Sequence, residues 1–392
     1  MTQPAIIGGK PLFPDGVPFV RPPAPPLERV MKRLEPSYNR GMLTNGPLVR
    51  ELEDAATERL GTRHAVAVSS CTAGLMLVLR ALEPAGPVLV AGFTFSATAH
   101  AVAWCGRRPL FAECDPRSFQ LDVADSADRM RRTGDVGAIL ATHLFGAPCR
   151  VEDIEALAAE VGVPAAFDAA HAFGARRGDR PVGAFGVAEV FSMSPTKPVV
   201  AGEGGIVATN DDAVAESVRI GRDYGNPGDY DTLFVGLNAR MSEMHAAVAL
   251  ESLADLAETA AARSAIAQRY TERLAGVPGI AVQHIDPGDV SSWKDFTIQV
   301  DEEALGVGRD ALAAALRAEG VDTRCYFDPP VHLQQSHATG ERLPVTEAVA
   351  ARVVSLPIYP ALPLRTVDLI AEAVARVHEH AEAVGATQAA RP

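Results

Sequence analysis

Lys197 lies in "FSMSPTKPVVAGEGG", residues 191–205, between Pro195 and Pro198 and just before a glycine cluster that holds one acid, Glu203. Each proline removes a backbone donor and fixes φ, so no helix runs through this stretch and the lysine sits on a stiff connection. The chain has only four lysines, Lys10, Lys32, Lys197 and Lys294, among 36 basic residues. Arginine serves nearly every basic role here, so a retained lysine points to chemistry that arginine does not do. A lysine can shed its proton and attack a carbonyl.

Two further segments carry residues of matching chemistry. In "VAVSSCTAGL", Ser70, Cys71 and Thr72 follow an apolar strand and open a helix. Free N–H groups and hydroxyls at a helix start form an anion site suited to one phosphate, although Thr72 could equally be a plain helix cap. In "AAFDAAHAFGA", Asp168 ends an apolar strand and His171 follows three residues on. An acid in such a setting is costly unless it meets a cation, and a protonated pyridine nitrogen would be one. Ser192 precedes the lysine loop, and Phe95 in "GFTFSATAHAV" offers a ring for stacking or for the core. A phosphate cradle, a seated aspartate and a lysine on a rigid loop are together what pyridoxal phosphate (PLP) requires.

These residues need strands that end together. "HAVAVSS", "PVLVA", "RPLFAE", "GAILATHLFG", "PAAFDAA", "AEVFSMS" and "GGIVATND" are short apolar runs, several of them separated by helical stretches such as "VEDIEALAAEVG". That alternation predicts an α/β fold with a mainly parallel sheet flanked by helices, and ligands in such sheets bind at the strands' carboxyl ends. Residues 47–60 show helical spacing closed by Gly61. The proline-rich first forty-odd residues read as an arm that wraps. The alanine-rich stretch from Ala239 to Gly276 reads as one long helical region leading into a second unit. The expected division is a large domain with its N-terminal arm, 1–255, and a smaller C-terminal α+β domain, 256–392.

The bulk composition excludes several functions. A formal net charge of −13 argues against binding nucleic acid or an anionic membrane, so any phosphate must be held locally. No uncharged run is long enough to span a bilayer, and the start has no secretory pattern. The five cysteines, Cys71, Cys105, Cys114, Cys149 and Cys325, form no CxxC pair. They suit reduced thiols in a cytoplasm and give no metal-ligand spacing. No GxGxxG follows the first strand, against a dinucleotide-binding module.

The residues together resemble the DegT-like nucleotide-sugar aminotransferases, which are PLP enzymes of fold type I, the aspartate-aminotransferase architecture. The likeness covers nearly the whole chain and is strongest in "SSCTAGL", "HLFGAPCRVEDI", "FDAAHAFGA", "FSMSPTKPVVAGEGGIVATND" and "GLNARMSEMHAAVAL". It implies that Lys197 holds the cofactor as a Schiff base and acts as catalytic base, and that Asp168 pairs with the pyridine nitrogen. It places His171 near the phenolic oxygen, Ser70, Cys71, Thr72 and Ser192 around the phosphate, and Phe95 on the ring. It further implies a homodimer with shared active sites, Asn238 and Arg240 reaching the partner's site, and His332 lying near the substrate. On residue type alone Asn238 reads more readily as a helix cap. The implied substrates are an amino acid, taken as L-glutamate, and a keto-sugar nucleotide. The "SCT" cradle most resembles enzymes that aminate C4 of dTDP-4-keto-6-deoxyhexoses. A 3-keto sugar nucleotide or a cyclitol ketone is the alternative acceptor, and a non-catalytic PLP-binding sensor is the alternative from another class. Relatives that dehydrate keto-sugars replace the lysine with histidine, which Lys197 weighs against.

Overall fold

A computed structural model describes residues 3–389. Two helices, α1 (Leu27–Asn39) and α2 (Pro47–Leu60), precede β1 (His64–Val68). There follow α3 (Cys71–Leu82), β2 (Val88–Ala91), α4 (Ser96–Trp104), β3 (Pro109–Ala112), α5 (Val123–Thr133), β4 (Ala138–Thr142), α6 (Val151–Val161) and β5 (Ala165–Asp168). A short ribbon of β6 (Arg176–Arg177) and β7 (Arg180–Pro181) leads to β8 (Glu189–Ser192), β9 (Gly205–Thr209), α7 (Asp212–Gly221) and α8 (Glu243–Ala254).

Seven strands form one sheet in the order β1-β9-β8-β5-β4-β2-β3. Pairings from β8 to β3 are parallel, while β9 runs antiparallel to both β1 and β8. Strand residues alternate between two apolar layers, as a period of two requires when both faces are covered. Ala65, Ala67, Leu89, Ala91, Ile139 and Ala141 face the layer of α1, α2, α6 and α8. Val66, Val68, Val88, Val90, Ala138 and Leu140 face the layer of α3, α4 and α7. Because β1 and β8 both oppose β9, the ends of β1, β2, β4, β5 and β8 all open on one edge, where the chemistry-bearing residues follow.

The second unit has its own core. It comprises α9 (Leu256–Leu274), β10 (Ile280–Val282), β11 (Phe296–Val300), α10 (Glu302–Leu305), α11 (Arg309–Ala318), α12 (Pro344–Arg352), β12 (Val353–Leu356), α13 (Leu364–Glu379) and α14 (Ala381–Ala389). The strands pair antiparallel, β10-β11-β12, against Tyr270, Leu312, Leu316, Ile370 and Val374.

Two expectations change. The alanine-rich stretch is two helices that meet at Asp255, whose carboxylate takes both oxygens to Arg29 at 3.0 Å. The break lets the chain leave the first core at Leu256 and enter the second by Ile266. The N-terminal stretch is also more than an arm. Leu12, Phe13 and Val17 pack on the second core, and α1 buries Val30 and Leu34 despite Pro36 within it.

Candidate active site

At the open edge lies a cavity of about 380 Å³, within the range of small-molecule sites. Ser70, Cys71, Thr72, Phe95, Asp168, His171, Ser192 and Lys197 all line it.

The cradle forms where β1 turns into α3. Ser70 caps the helix, its Oγ accepting the Ala73 N–H at 3.1 Å. Thr72 is therefore not the cap, and its hydroxyl has no partner among the described residues. Gly205 lets β9 approach this turn, since a Cβ there would lie 2.8 Å from the Cys71 nitrogen. The buried Cys71 thiol sits 3.9 Å from Asp168 Oδ1. Burial first, and that carboxylate next, push the thiol well above its ordinary range, so it stays protonated and serves as a wall of the site.

Asp168 ends β5 and is 4% exposed. Oδ2 accepts the Thr98 hydroxyl at 2.7 Å, and Oδ1 accepts the Ala170 N–H at 3.0 Å. Thr98 is one end of a buried hydroxyl chain through Thr94 to Thr142, with steps of 3.1 and 3.0 Å. Burial raises the carboxyl's pKa, and Thr98, Ala170 and the Lys197 charge oppose the rise. His171 Nδ1 accepts the Phe145 N–H at 3.1 Å, which assigns its proton to Nε2. Burial, then the charges of Lys197 and Lys294, hold its pKa well below the usual value, so the ring is neutral.

Lys197 makes no side-chain hydrogen bond among the described residues. Burial, then the neighbouring Lys294 charge, lower its amine from 10.5 to about 8. A large neutral fraction at that pH is what nucleophilic attack on a carbonyl needs. Phe95 is 55% exposed, standing at the cavity wall rather than in the core, with its ring 6.1 Å from that of Phe327.

Three expected residues lie elsewhere. His332, expected near the substrate, is fully buried and does not line this cavity. Its Nε2 faces Glu347 at 3.3 Å and its ring packs by Phe111. The same segment gives the cavity Tyr326 and Phe327 instead, and the turn after them dives into the core. Asn238 and Arg240 are outside this chain's own cavity. Asn238 bridges to Asp223, and Arg240 pairs with Asp223 and lies over the Tyr224 ring. Ser242, not Asn238, caps α8. Lys294, Asp295, Tyr326 and Phe327, from the second unit, line the cavity without having been singled out. Lysine scarcity was the available signal for Lys294.

The site fits PLP on its own chemistry. A buried carboxylate with only neutral donors in hydrogen-bonding reach awaits a cation, an unpartnered amine has its pKa lowered to about 8, and a helix N-terminus with a free hydroxyl awaits an anion. Among the described residues no cluster of His, Cys, Asp or Glu is placed to hold a metal, and no helix is long and apolar enough to cross a membrane.

Fold and site together define a PLP-dependent transferase of fold type I. The chain belongs to the DegT/DnrJ/EryC1/StrS aminotransferase family, whose model matches residues 27–375, and it is a PLP-dependent sugar aminotransferase. It is 32% identical to the UDP-2-acetamido-2-deoxy-3-oxo-D-glucuronate aminotransferase of Pseudomonas aeruginosa, over 85% of this chain and 92% of that one. It is 35% identical to the UDP-N-acetyl-3-dehydro-alpha-D-glucosamine 3-aminotransferase of Acidithiobacillus ferrooxidans, over 83% and 88%. Among solved structures, DesI in the presence of its TDP-sugar product superposes with a TM-score of 0.90 at 36% identity, covering 95% of this chain and 96% of that one.

Proposed function

We propose that the enzyme moves the amino group of L-glutamate to C4 of a dTDP-4-keto-6-deoxyhexose. The likeness to DesI, whose product is a TDP-sugar, carries this reading, and the Ser70–Cys71–Thr72 cradle supports it. A second reading, amination at C3 of a UDP-sugar, is favoured by the names of the two curated relatives.

Bound PLP supplies an aldehyde to carry the amino group and a protonated ring to take up the electron pair left when the donor loses its α-proton. Lys197 holds the cofactor and then, as a neutral amine, takes that proton from the donor's α-carbon. Asp168, fixed by Thr98 and Ala170, keeps the ring nitrogen protonated. The α3 N-terminus with Ser70, Thr72 and Ser192 holds the phosphate, and Phe95 covers the ring. His171 offers its Nε2–H as a neutral donor.

The active unit in this reading is a homodimer. Asn238 and Arg240 serve the partner's site, because they lie outside their own cavity on a segment that exposes Tyr230 and Val235 at 93% and 90%. The test is to incubate the enzyme with 15N-labelled glutamate and a panel of 4-keto and 3-keto dTDP-sugars, 3-keto UDP-sugars and an inosose. NMR then locates the label. Label at C4 of the dTDP-sugar is expected; label at C3, or only on a UDP-sugar or cyclitol, overturns the assignment. A PLP-loaded protein that does not react with glutamate would overturn glutamate as the donor.

A further inference from the structure

The roles above leave one cation of the cavity unused. Lys294 is 7% exposed and lines the cavity. Its ammonium gives two N–H donors to the Asp295 carboxylate, both at 2.9 Å, and lies 5.6 Å from the centre of the Tyr326 ring. An ammonium has three donors, so one remains.

The loop that carries Lys294 is anchored on both sides. From α9, the buried Arg263 donates to the carbonyls of Trp293 (3.1 Å), Lys294 (3.5 Å) and Ile358 (3.2 Å). Toward the large unit, Ser292 N–H donates to Gly146 at 3.0 Å and Asp295 N–H donates to Phe145 at 3.3 Å. The Ser292 hydroxyl donates to the His171 carbonyl. Gly146 sits at φ +100°, and a Cβ there would overlap the Ser292 hydroxyl, so the close approach requires glycine. Fixing a lysine so firmly forfeits side-chain freedom. A buried ion pair is weak evidence for stability.

An amino-acid donor brings an α-carboxylate into this cavity, and a carboxylate taken out of water needs a cation. This chain lines the cavity with two cations, Lys197 and Lys294, and with no arginine. Lys197 must be free to lose its proton. We propose that Lys294 binds the α-carboxylate of the amino-acid donor through its third N–H, with the Tyr326 hydroxyl as second donor. Burial, then the Asp295 charge, push that hydroxyl up to about 12, so it keeps its proton to donate. The assignment rests on the reading of an amino acid as donor.

The test compares the PLP-loaded wild type with Lys294→Gln and Asp295→Asn, following the loss of cofactor absorbance in single half-reactions. The probes are L-glutamate, 4-aminobutyrate (glutamate without its α-carboxylate) and the aminated sugar nucleotide run in reverse. Losing one charge-assisted hydrogen bond lowers the rate roughly 10- to 100-fold. Lys294→Gln is expected to lose that factor with glutamate relative to the other two probes, because any change in the Lys197 amine is common to all three. Asp295→Asn, which keeps the cation and frees it, is expected to retain the preference for glutamate. Equal loss with glutamate and 4-aminobutyrate, or loss confined to the sugar nucleotide, overturns the assignment while the donor reading stands. Loss of the glutamate preference in Asp295→Asn also overturns it. A wild type inert to every amino acid overturns the donor reading and this assignment together.

Discussion

Replacing Lys197 by methionine should make the cofactor-free protein more stable at neutral pH. Methionine fills similar space without a charge. Burial and the Lys294 charge lower the amine from 10.5 to about 8, a shift of roughly 2.5 units at 1.36 kcal/mol each, or about 3 kcal/mol. Below pH 8 the folded and unfolded chains both hold the proton, and the folded state bears the full cost. Between pH 8 and 10.5 the unfolded chain binds a proton that the folded one has shed, so wild-type stability rises with pH. The variant lacks this term. The variant's advantage should therefore be near 3 kcal/mol at pH 7, shrink from pH 8 upward and nearly close by pH 10. At about 2.1 cal/mol/K of unfolding entropy per residue, a cooperative chain of this length would show a Tm difference of roughly 4 °C at pH 7. Thermal melts of both cofactor-free proteins across pH 7–10, at one fixed protein concentration, measure it. A methionine variant no more stable than wild type at pH 7, or a gap that ignores pH, would refute the electrostatic account of this lysine.

Borohydride reduction of the PLP-loaded enzyme should fix the cofactor to the peptide containing Lys197; a label on Lys10, Lys32 or Lys294 would remove the central assignment. Asp168→Asn should cost turnover by orders of magnitude while shifting Tm little, because the ground-state bond to the ring nitrogen is about 1.5–3 kcal/mol and the larger loss falls on α-proton removal. Near-normal turnover takes Asp168 out of the mechanism. Thr98→Val deletes the 2.7 Å hydroxyl contact to Asp168 and should weaken PLP affinity roughly fivefold, read by cofactor titration; unchanged affinity would make the hydroxyl chain incidental. Mixed dimers of Lys197→Ala and Asn238→Ala chains should recover activity toward half of wild type if Asn238 acts in trans, and none above the parents if it acts in cis.

The parts of this protein that were legible in sequence were those where local chemistry and fold agree. The seven strands read as apolar runs because both faces of the sheet are buried. Helix α2 was bounded correctly because Gly61 adopts the left-handed cap its spacing implied, at φ 63°. Asp168 and Lys197 stood out because an acid after an apolar strand and a scarce lysine between prolines are locally anomalous. The break at Asp255 was hidden, since the Asp255 carboxylate meets Arg29, more than two hundred residues away in the chain. The role of Thr98 was hidden for the same reason, because its partner Asp168 is on another element. The burial of His332 was not legible, because its contacts, Glu347 and Phe111, lie on other elements.

Lys197 owes its low pKa to two separate cores. The sheet edge seats the amine and buries it; the second unit's loop then brings Lys294 into the same cavity. Burial is the larger cause, and part of it comes from the second unit, whose Tyr326 and Phe327 wall the site. Without the second unit, the large unit would still carry the cradle, Asp168 and Lys197 on its own elements. It would lose the wall that excludes water and the charge that repels the lysine's proton. Its lysine would then titrate closer to an ordinary amine, and its neutral fraction at neutral pH would fall. The anchor of Ser292 and Asp295 on Gly146, Phe145 and His171 thus holds in place the loop that brings Lys294 beside that amine.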